Sequence, residues 1–430
     1  MILTKQKKYF FSSIGVFIWL IAAFFFMYEF FLRTFVGSLA EQIIDDLKLN
    51  VESFPFLGTA YYLAYGLMQI PVGLLIDKYG VKFVMLISAI MCAVATIVFS
   101  FSTSFFTAMV GRFLMGIGSS SAFVSLLVIA ITWFSRKNFG LFAGLSQFMG
   151  TLGPILAGGP LVEFVLSQNI SWRLALVEIG IIGFALALFI LFFVKNKPRS
   201  GENNLIHLHF KETLKEKFLR LFKFRQPWFI AIYSSCNYMP LALMGAVWGT
   251  RYLQIRGLPQ MSAADVISIA WIGYAIGCPL IGFLSDYFKR RKFFLFVSSS
   301  IGFIVSVIFL YASIKVQWVY YLCFFLLGIA ASGQNIGFAT IAEHVKPKTR
   351  AAILGLNNAV ITLFISIMPP IVGYLIAVSG DGLKDYKVND FVFGLSVIPL
   401  FYLVSVIFAI FFIRETYCKA QKENILLNPK

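Results

Sequence analysis

Glu29, Arg33, Arg112 and Glu178 are ionisable side chains that lie within long apolar stretches of this sequence. In a helix that crosses a bilayer, each such group costs about 2.5–3.5 kcal/mol on insertion scales, so it needs a partner or a function. Glu29 and Arg33 are four residues apart, which places them on one face of a helix and within reach of each other. A guanidinium can bind a carboxylate or phosphate through two parallel hydrogen bonds. The alternatives are a permanent structural Glu29–Arg33 pair and a structural role for Glu178 beside Arg173.

Twelve predicted membrane-spanning helices carry these groups. The 430 residues are 59% apolar, 17% aromatic and only 13% charged, whereas soluble domains are about 25% charged. A spanning helix needs about 20 mostly apolar residues. Such runs cover residues 13–36, 53–76, 82–101, 105–131, 139–165, 173–194, 227–250, 264–285, 293–313, 317–342, 351–378 and 391–413. The predicted fold class is therefore an all-α polytopic membrane protein, embedded in a lipid bilayer.

One long connection divides the twelve helices into two groups of six. The predicted organisation is an N-terminal six-helix bundle at 1–194, a linker at 195–226, a C-terminal six-helix bundle at 227–414 and a tail at 415–430. The linker carries nine basic residues, and five of them surround apolar residues at helical spacing, which is typical of a basic amphipathic helix on a bundle or on anionic lipid. A simple charged tether is the alternative.

The distribution of Lys and Arg predicts the orientation. With twelve spans both termini share one side, and that side holds 27 of the 36 basic residues, against seven on the other side and two inside the runs. Basic residues concentrate on the cytoplasmic side of membrane proteins. We therefore expect both termini, the linker and the tail in the cytoplasm. The net charge of +17 reports this topology and indicates no nucleic-acid partner.

Two short patterns occur twice, at matching places in the two halves. One has a glycine, an aspartate four residues later and then basic residues at a turn between helices. Its residues are Gly73, Asp77 and Lys78 in the first copy and Gly282, Asp286, Lys289 and Arg290 in the second, 209 residues on. The other pairs Gly144 and Gln147 with Gly355 and Asn358, at an offset of 211 residues. Because glycine allows close helix approach and aspartate can pair with a basic residue or a helix N-terminus, we interpret the first pattern as a conformational latch.

The duplicated turn pattern resembles the loop signature of the major facilitator superfamily. Arg112, Gly116 and Gly118 resemble its intramembrane Arg-Gly motif, and Gly153 with Pro154 resembles its Gly-Pro motif at an altered spacing, which leaves the direction of transport open. The resemblance covers the whole chain. It implies a secondary active transporter that works by alternating access, without a cofactor, metal ion or enzymatic activity, and we expect a monomer.

The resemblance also implies which helices surround a central cavity. On that basis the predicted substrate-binding residues are Arg33, Arg112, Tyr28, Tyr65, Gln147, Asn237, Gln334 and Asn358. Glu29 and Glu178 are the predicted proton-coupling residues. Any single tyrosine has the alternative of packing or anchoring at the membrane interface.

The segment around Glu29, followed by Tyr61, Tyr62, Tyr65 and Gln69, resembles nutrient permeases of intracellular Gram-negative bacteria, of the phagosomal-transporter type. This resemblance implies an inner-membrane protein that takes up a small polar or anionic metabolite, such as an amino acid, nucleoside or organic anion, together with protons. The alternatives are a siderophore or sugar-phosphate permease, a proton-driven exporter, a nutrient sensor on a transporter fold and a membrane-embedded enzyme.

The orientation can be tested with single cysteines. An impermeant thiol reagent added from outside should label a cysteine at Asp385, in a predicted outer loop, and should miss one at Asn203, in the predicted cytoplasmic linker. The reverse labelling pattern would reject cytoplasmic termini.

Overall fold

The structure is a computed structural model, and it describes residues 13–134, 139–196, 225–345, 350–380 and 386–419. Every regular element among these residues is helical. The described part includes nearly all of the predicted spans. The linker prediction falls mainly on residues 197–224 and part of the tail prediction on 420–430, and both lie outside the described residues.

The N-terminal half contains six long helical segments. α1 is Ser13–Ser38, α2 is Phe56–Tyr79, α3 is Val81–Ser100 and α6 is Trp172–Phe193. α4 consists of Phe105–Ser119 and Ala122–Trp133, and α5 consists of Phe139–Ala157 and Gly159–Ser167. A short helix, Ala40–Leu47, follows α1. It places apolar residues against the bundle and carboxylates outward, so it covers one end of this half.

The C-terminal half repeats the plan. α7 comprises Arg225–Leu243, a π-helical turn Met244–Trp248 and Gly249–Ile255. α8 is Gln260–Phe288, α9 is Arg291–Tyr311 and α11 is Arg350–Ser379. α10 comprises Gln317–Ala331 and Gly333–Glu343, and α12 comprises Val388–Leu395, Val397–Ile407 and a π-helical turn Phe408–Phe412.

These helices confirm the predicted fold class. Eleven described segments are long and apolar enough to cross a membrane, and the 24-residue α2 completes a set of twelve. The predicted runs at 105–131 and 317–342 were continuous, however, whereas α4 and α10 are each broken in the middle. At both breaks a serine hydroxyl, of Ser120 and of Ser332, donates to the carbonyl three residues earlier at 2.6 Å. Such bonds compete with regular helix geometry, so the duplicated chain bends twice in the same way.

Glycines allow the helices of each half to pack closely. At Gly116 of α4 an added Cβ would collide with the carbonyl oxygen of Tyr61 in α2, and at Gly328 of α10 it would collide with that of Ala270 in α8. Small residues are enriched at such crossings because lipid-embedded helices associate through close packing. The Arg-Gly motif of α4 is therefore a packing element as well as the position of a buried charge.

The two halves are joined most strongly at one end of the bundle. We call the end at which α1 begins and α12 ends the terminal face, and the opposite end the distal face. Near the distal face the side-chain amides of Gln42 and Gln260 exchange two hydrogen bonds, at 3.2 and 2.9 Å. The Ser268 hydroxyl of α8 accepts from the Gly159 N–H at 2.8 Å and donates to the Ile155 carbonyl at 2.9 Å.

The packing role of Gly116 can be tested against a matched glycine. Gly116→Ala should lower the melting temperature of the detergent-purified protein, because overpacking a helix crossing costs about 1–3 kcal/mol. Gly144→Ala should have no such effect, since a Cβ at Gly144 meets no described atom within 4 Å. Equal melting temperatures for the two variants would contradict the close α2–α4 contact.

Candidate functional site

A buried ion pair lies on α1 between the two halves. Glu29 is fully buried and Arg33 is 8% exposed. Arg33 donates from Nε to Glu29 Oε1 at 3.1 Å and also from Nη2 to the same oxygen. The Tyr61 hydroxyl of α2 donates to that oxygen at 2.9 Å. The other carboxylate oxygen, Oε2, is buried without a hydrogen-bond partner among the described residues. One oxygen thus accepts three hydrogen bonds while the other accepts none.

Aromatic rings surround the guanidinium of Arg33. Its Cζ lies 4.2 Å from the ring centroid of Phe30, 4.6 Å from that of Tyr65 and 5.9 Å from that of Tyr62. A cation over an aromatic face is stabilised by about 2 kcal/mol or more when it is desolvated. The cation can therefore stay charged in an apolar interior while its planar edge remains able to bind an anion.

The C-terminal half faces this pair with uncharged groups. Phe30 contacts Trp271 of α8 across the interface, with ring centroids 6.3 Å apart. Tyr274 packs on Trp271 and on Tyr238, at centroid distances of 6.0 and 5.5 Å, and its hydroxyl donates to Gln334 Oε1 at 3.1 Å. The indole N–H of Trp271 is buried without a partner among the described residues. This aromatic wall therefore retains one free hydrogen-bond donor beside the charged half.

Arg112 is fully buried and is bonded mainly to the main chain. Its Nε donates to the Leu57 carbonyl at 3.0 Å, Nη1 to the Leu32 carbonyl at 2.6 Å and Nη2 to the Arg33 carbonyl at 3.3 Å. The first carbonyl belongs to α2 and the other two to α1. In this conformation the guanidinium thus joins three helices and holds the turn of α1 that carries Arg33.

The other predicted binding residues occupy different places. Tyr65 is beside Arg33, and Gln334 belongs to the aromatic wall. Tyr28 lies against Gly183 of α6, where an added Cβ would contact its hydroxyl. Asn237 faces α9 and α10, with Nδ2 3.4 Å from Ser299 Oγ. The side chain of Gln147 is half-buried in α5.

Of the two predicted proton-coupling residues, Glu29 is in the ion pair and Glu178 is exposed near the start of α6. Asn358 of α11 donates from Nδ2 to Gln69 Oε1 of α2 at 3.3 Å. This bond links the two halves, and it is their hydrogen bond nearest the terminal face in the part of the chain that the structure describes.

Beyond that bond no hydrogen bond joins the halves among the described residues. At the four glycines of the duplicated patterns a Cβ atom would meet no described atom within 4 Å: Gly73, Gly144, Gly282 and Gly355. These glycines lie on α2, α5, α8 and α11, towards the terminal face. The described helices of the two halves are thus in contact near the distal face, and these four glycines have no described neighbour towards the terminal face.

The second latch pattern is centred on a residue that the sequence did not single out. Arg291, 7% exposed, lies 2.6 Å from Asp286 Oδ1 and 2.9 Å from Glu343 Oε1, so it ties α9 to α8 and α10. Lys289, in a left-handed backbone conformation (φ 51°), and Arg290 are exposed. In the sequence, the only indication of this role for Arg291 was its place in an unbroken run of four basic residues.

The first latch pattern is less fully described. Lys78 is exposed, with its Nζ 4.9 Å from the ring centroid of Tyr79. Asp77 lies in the last turns of α2, but its side chain is outside the described part. The latch roles of both patterns therefore remain predictions.

This twelve-helix fold, with a charged pair between two repeated halves, defines a polytopic secondary transporter. The sequence profile of the Major Facilitator Superfamily matches residues 18–341 and 266–424, and the chain belongs to that superfamily. The prediction that the chain is a transporter and not an enzyme is thereby confirmed.

The similar proteins agree with this membership. The chain is 25% identical over 396 residues to the uncharacterized transporter YybO of Bacillus subtilis, and 22% identical over 391 residues to the probable sulfoacetate transporter SauU of Cupriavidus necator. Each alignment covers 86% of this chain and 89% of the relative. The hexuronate transporter of Bacillus subtilis is 23% identical over 261 residues, covering 60% of this chain and 61% of the relative.

Solved structures share the fold. A bacterial homologue of the human lysosomal transporter Spinster, inward-facing and unoccupied, matches with a TM-score of 0.72 at 17% identity, covering 93% of this chain and 95% of the other. A D-xylose-proton symporter matches with a TM-score of 0.75 at 12% identity, covering 95% and 100%.

The free glycines predict where the halves meet when the terminal face closes. Gly355→Leu should block closure while leaving the present conformation intact, because its side chain would occupy space that has no described neighbour here and that we expect the other half to fill on closure. Spin labels at the exposed Lys78 and Lys289 would report the distance across this face. Gly355→Ala is the matched control and should still reach the short distance. A Leu variant that closes like the wild type would refute the assignment.

Proposed function

We propose that the protein imports a small anionic metabolite together with protons, with Arg33 binding the anionic group and Glu29 carrying the proton. The observation that carries this proposal is the uneven bonding of the Glu29 carboxylate. One oxygen is neutralised by Arg33, and the other is buried without a partner among the described residues. A permanent structural pair would be more stable with both oxygens bonded, since unmet buried polar atoms cost about 1–3 kcal/mol each.

Substrate and proton would load together through competition for Arg33. An arriving carboxylate or phosphate offers the guanidinium a second anionic partner. When Arg33 turns to it, Glu29 becomes an unpaired carboxylate in an apolar interior, which is strongly unfavourable. Taking up a proton removes that charge, and Oε2, which has no hydrogen-bond partner among the described residues, can carry it. The Tyr61 hydroxyl can remain bonded to Oε1 in either form.

The remaining predicted residues take supporting roles in this proposal. Arg112 keeps α1 in position through its main-chain bonds. Trp271, Tyr274 and Gln334 contact the uncharged part of the substrate from the other half. Glu178 is exposed and becomes the alternative proton site only if Glu29 fails the test below.

The substrate class rests on Arg33 and on the relatives. SauU and the hexuronate transporter are named for sulfoacetate and hexuronate, and both of these solutes carry a carboxylate. The resemblance to nutrient permeases of intracellular Gram-negative bacteria, an inner-membrane location and a monomeric state remain predictions. Sulfoacetate and a hexuronate are therefore the first probes, followed by amino acids and nucleosides.

Uptake into proteoliposomes tests the coupling. Glu29→Gln should abolish accumulation driven by a proton gradient yet keep counterflow exchange of substrate, because exchange needs no net proton movement. Arg33→Gln should abolish both activities, since the anion loses its partner. Glu178→Gln makes the same chemical change at an exposed position and should leave both activities intact.

Two results would overturn the proposal. If Glu29→Gln still accumulates substrate against a gradient, the proton binds elsewhere. If Arg33→Gln exchanges substrate at the wild-type rate, the anionic group is not bound there. If a proton gradient instead drives substrate outward through the wild type, the protein is an exporter and not an importer.

A further inference from the structure

A groove of about 480 Å³ opens on the outer surface of the C-terminal half, between the first turns of α9 and the end of α12. Its floor is apolar and open to the surroundings: Phe293 is 56% exposed, Phe296 36% and Ile410 39%. Its rim carries two cations, Arg290 and Lys292. The groove lies at the terminal face and on the outside of the bundle, so it is separate from the ion pair on α1.

The rim cations form no ion pair with any described residue. The Arg290 Cζ lies 5.5 Å from the ring centroid of Tyr417, and Lys292 lines the groove together with Phe293. Glu415 also lines the groove, but its carboxylate is already used. Oε1 accepts from the Arg291 main-chain N–H and Oε2 from that of Lys292, each at 2.9 Å. Glu415 therefore caps the N-terminus of α9 and leaves both rim cations available.

The charge around the groove is positive. Within this corner the described cations are Lys289, Arg290, Arg291, Lys292, Arg414 and Lys419, and the described carboxylates are Asp286, Glu343 and Glu415. Arg291 is the cation that pairs with Asp286 and Glu343. The excess of positive charge is thus exposed and concentrated where the helices end.

We propose that this groove is a binding site for one anionic phospholipid. The phosphate lies between Arg290 and Lys292, and one acyl chain runs along Phe293, Phe296 and Ile410. The helix ends place the cations at the depth of the headgroups and the apolar floor at the depth of the acyl chains. Basic pockets between membrane helices bind anionic headgroups in this way. Free phosphate would use the rim and leave the exposed floor uncovered, so the floor favours a lipid.

A second groove provides an internal comparison. It has about 370 Å³, lies between α1 and α6, and has a floor that includes Phe17, Phe192 and Phe193. Lys195 is the one basic residue among the described residues that line it. A similar floor with fewer cations should bind anionic lipid more weakly.

Lipid titration of the full-length protein in detergent, followed by native mass spectrometry, tests the site. The probes are dioleoyl phosphatidylglycerol, dioleoyl phosphatidylcholine and inorganic phosphate. Wild type should bind phosphatidylglycerol in preference to phosphatidylcholine, and millimolar phosphate should not displace it. The double variant R290Q/K292Q should weaken phosphatidylglycerol binding about thirtyfold, because each cation near an anionic surface contributes about 1 kcal/mol of binding free energy.

The matched control removes two positive charges from the same corner but outside the groove. K289Q/K419Q should change phosphatidylglycerol binding less than about threefold, because screened charges off the groove act only at long range. Equal weakening by both double variants, equal binding of the two lipids, or displacement by phosphate would each overturn the site. If R290Q/K292Q melts at a lower temperature than wild type, the exposed Arg290→Gln alone replaces it, with about a fivefold loss expected.

Discussion

The bonds that Arg112 makes to main-chain carbonyls hold the centre of this protein together. A buried guanidinium needs acceptors for its N–H groups, and here carbonyls of α1 and α2 supply them. Two of these carbonyls belong to Leu32 and Arg33, so the bonds fix the turn of α1 that carries the ion pair. Glu29, the aromatic surround of Arg33 and the contact with Tyr61 all take their positions from that turn. A charge that is bonded to main-chain carbonyls thus determines the geometry of the site where a solute is expected to bind.

The N-terminus of the third helix is capped by a different kind of side chain in each half. At the turn between α2 and α3, the Asn196 side chain accepts from the Lys82 N–H at 2.8 Å, and at the turn between α8 and α9 Glu415 accepts from the N–H groups of Arg291 and Lys292. In each half, a residue that follows the sixth helix caps the N-terminus of the third helix. The amide adds no charge, whereas the carboxylate joins a network of charged residues. Among the described side chains, the cap of the second half thus adjoins the ion pairs of Arg291 with Asp286 and Glu343.

The sequence predicted features that depend on local spacing. The twelve spans follow from run length, and the Glu29–Arg33 pair follows from a separation of four residues. Features that depend on distant residues were missed. Arg291 owes its role to Glu343, 52 residues away, and Tyr61 reaches Glu29 across 32 residues. Tyr28 was predicted to bind substrate but lies against Gly183 of α6, because α1 is apolar on most of its surface and its pattern does not show which face meets which neighbour. The breaks in α4 and α10 were missed because a serine hydroxyl bends a helix without changing its hydropathy.

The aromatic wall of the second half carries no charge, whereas the ion pair belongs entirely to the first. Under the proposed function the two halves have different roles. The first half binds the anionic group of the substrate and couples transport to the proton gradient, and the second half recognises the rest of the substrate. Substitutions at Trp271, Tyr274 or Gln334 would then alter solute preference while leaving the coupling machinery untouched. A duplicated bundle of this kind can diversify its cargo during evolution by changing only one of its two copies.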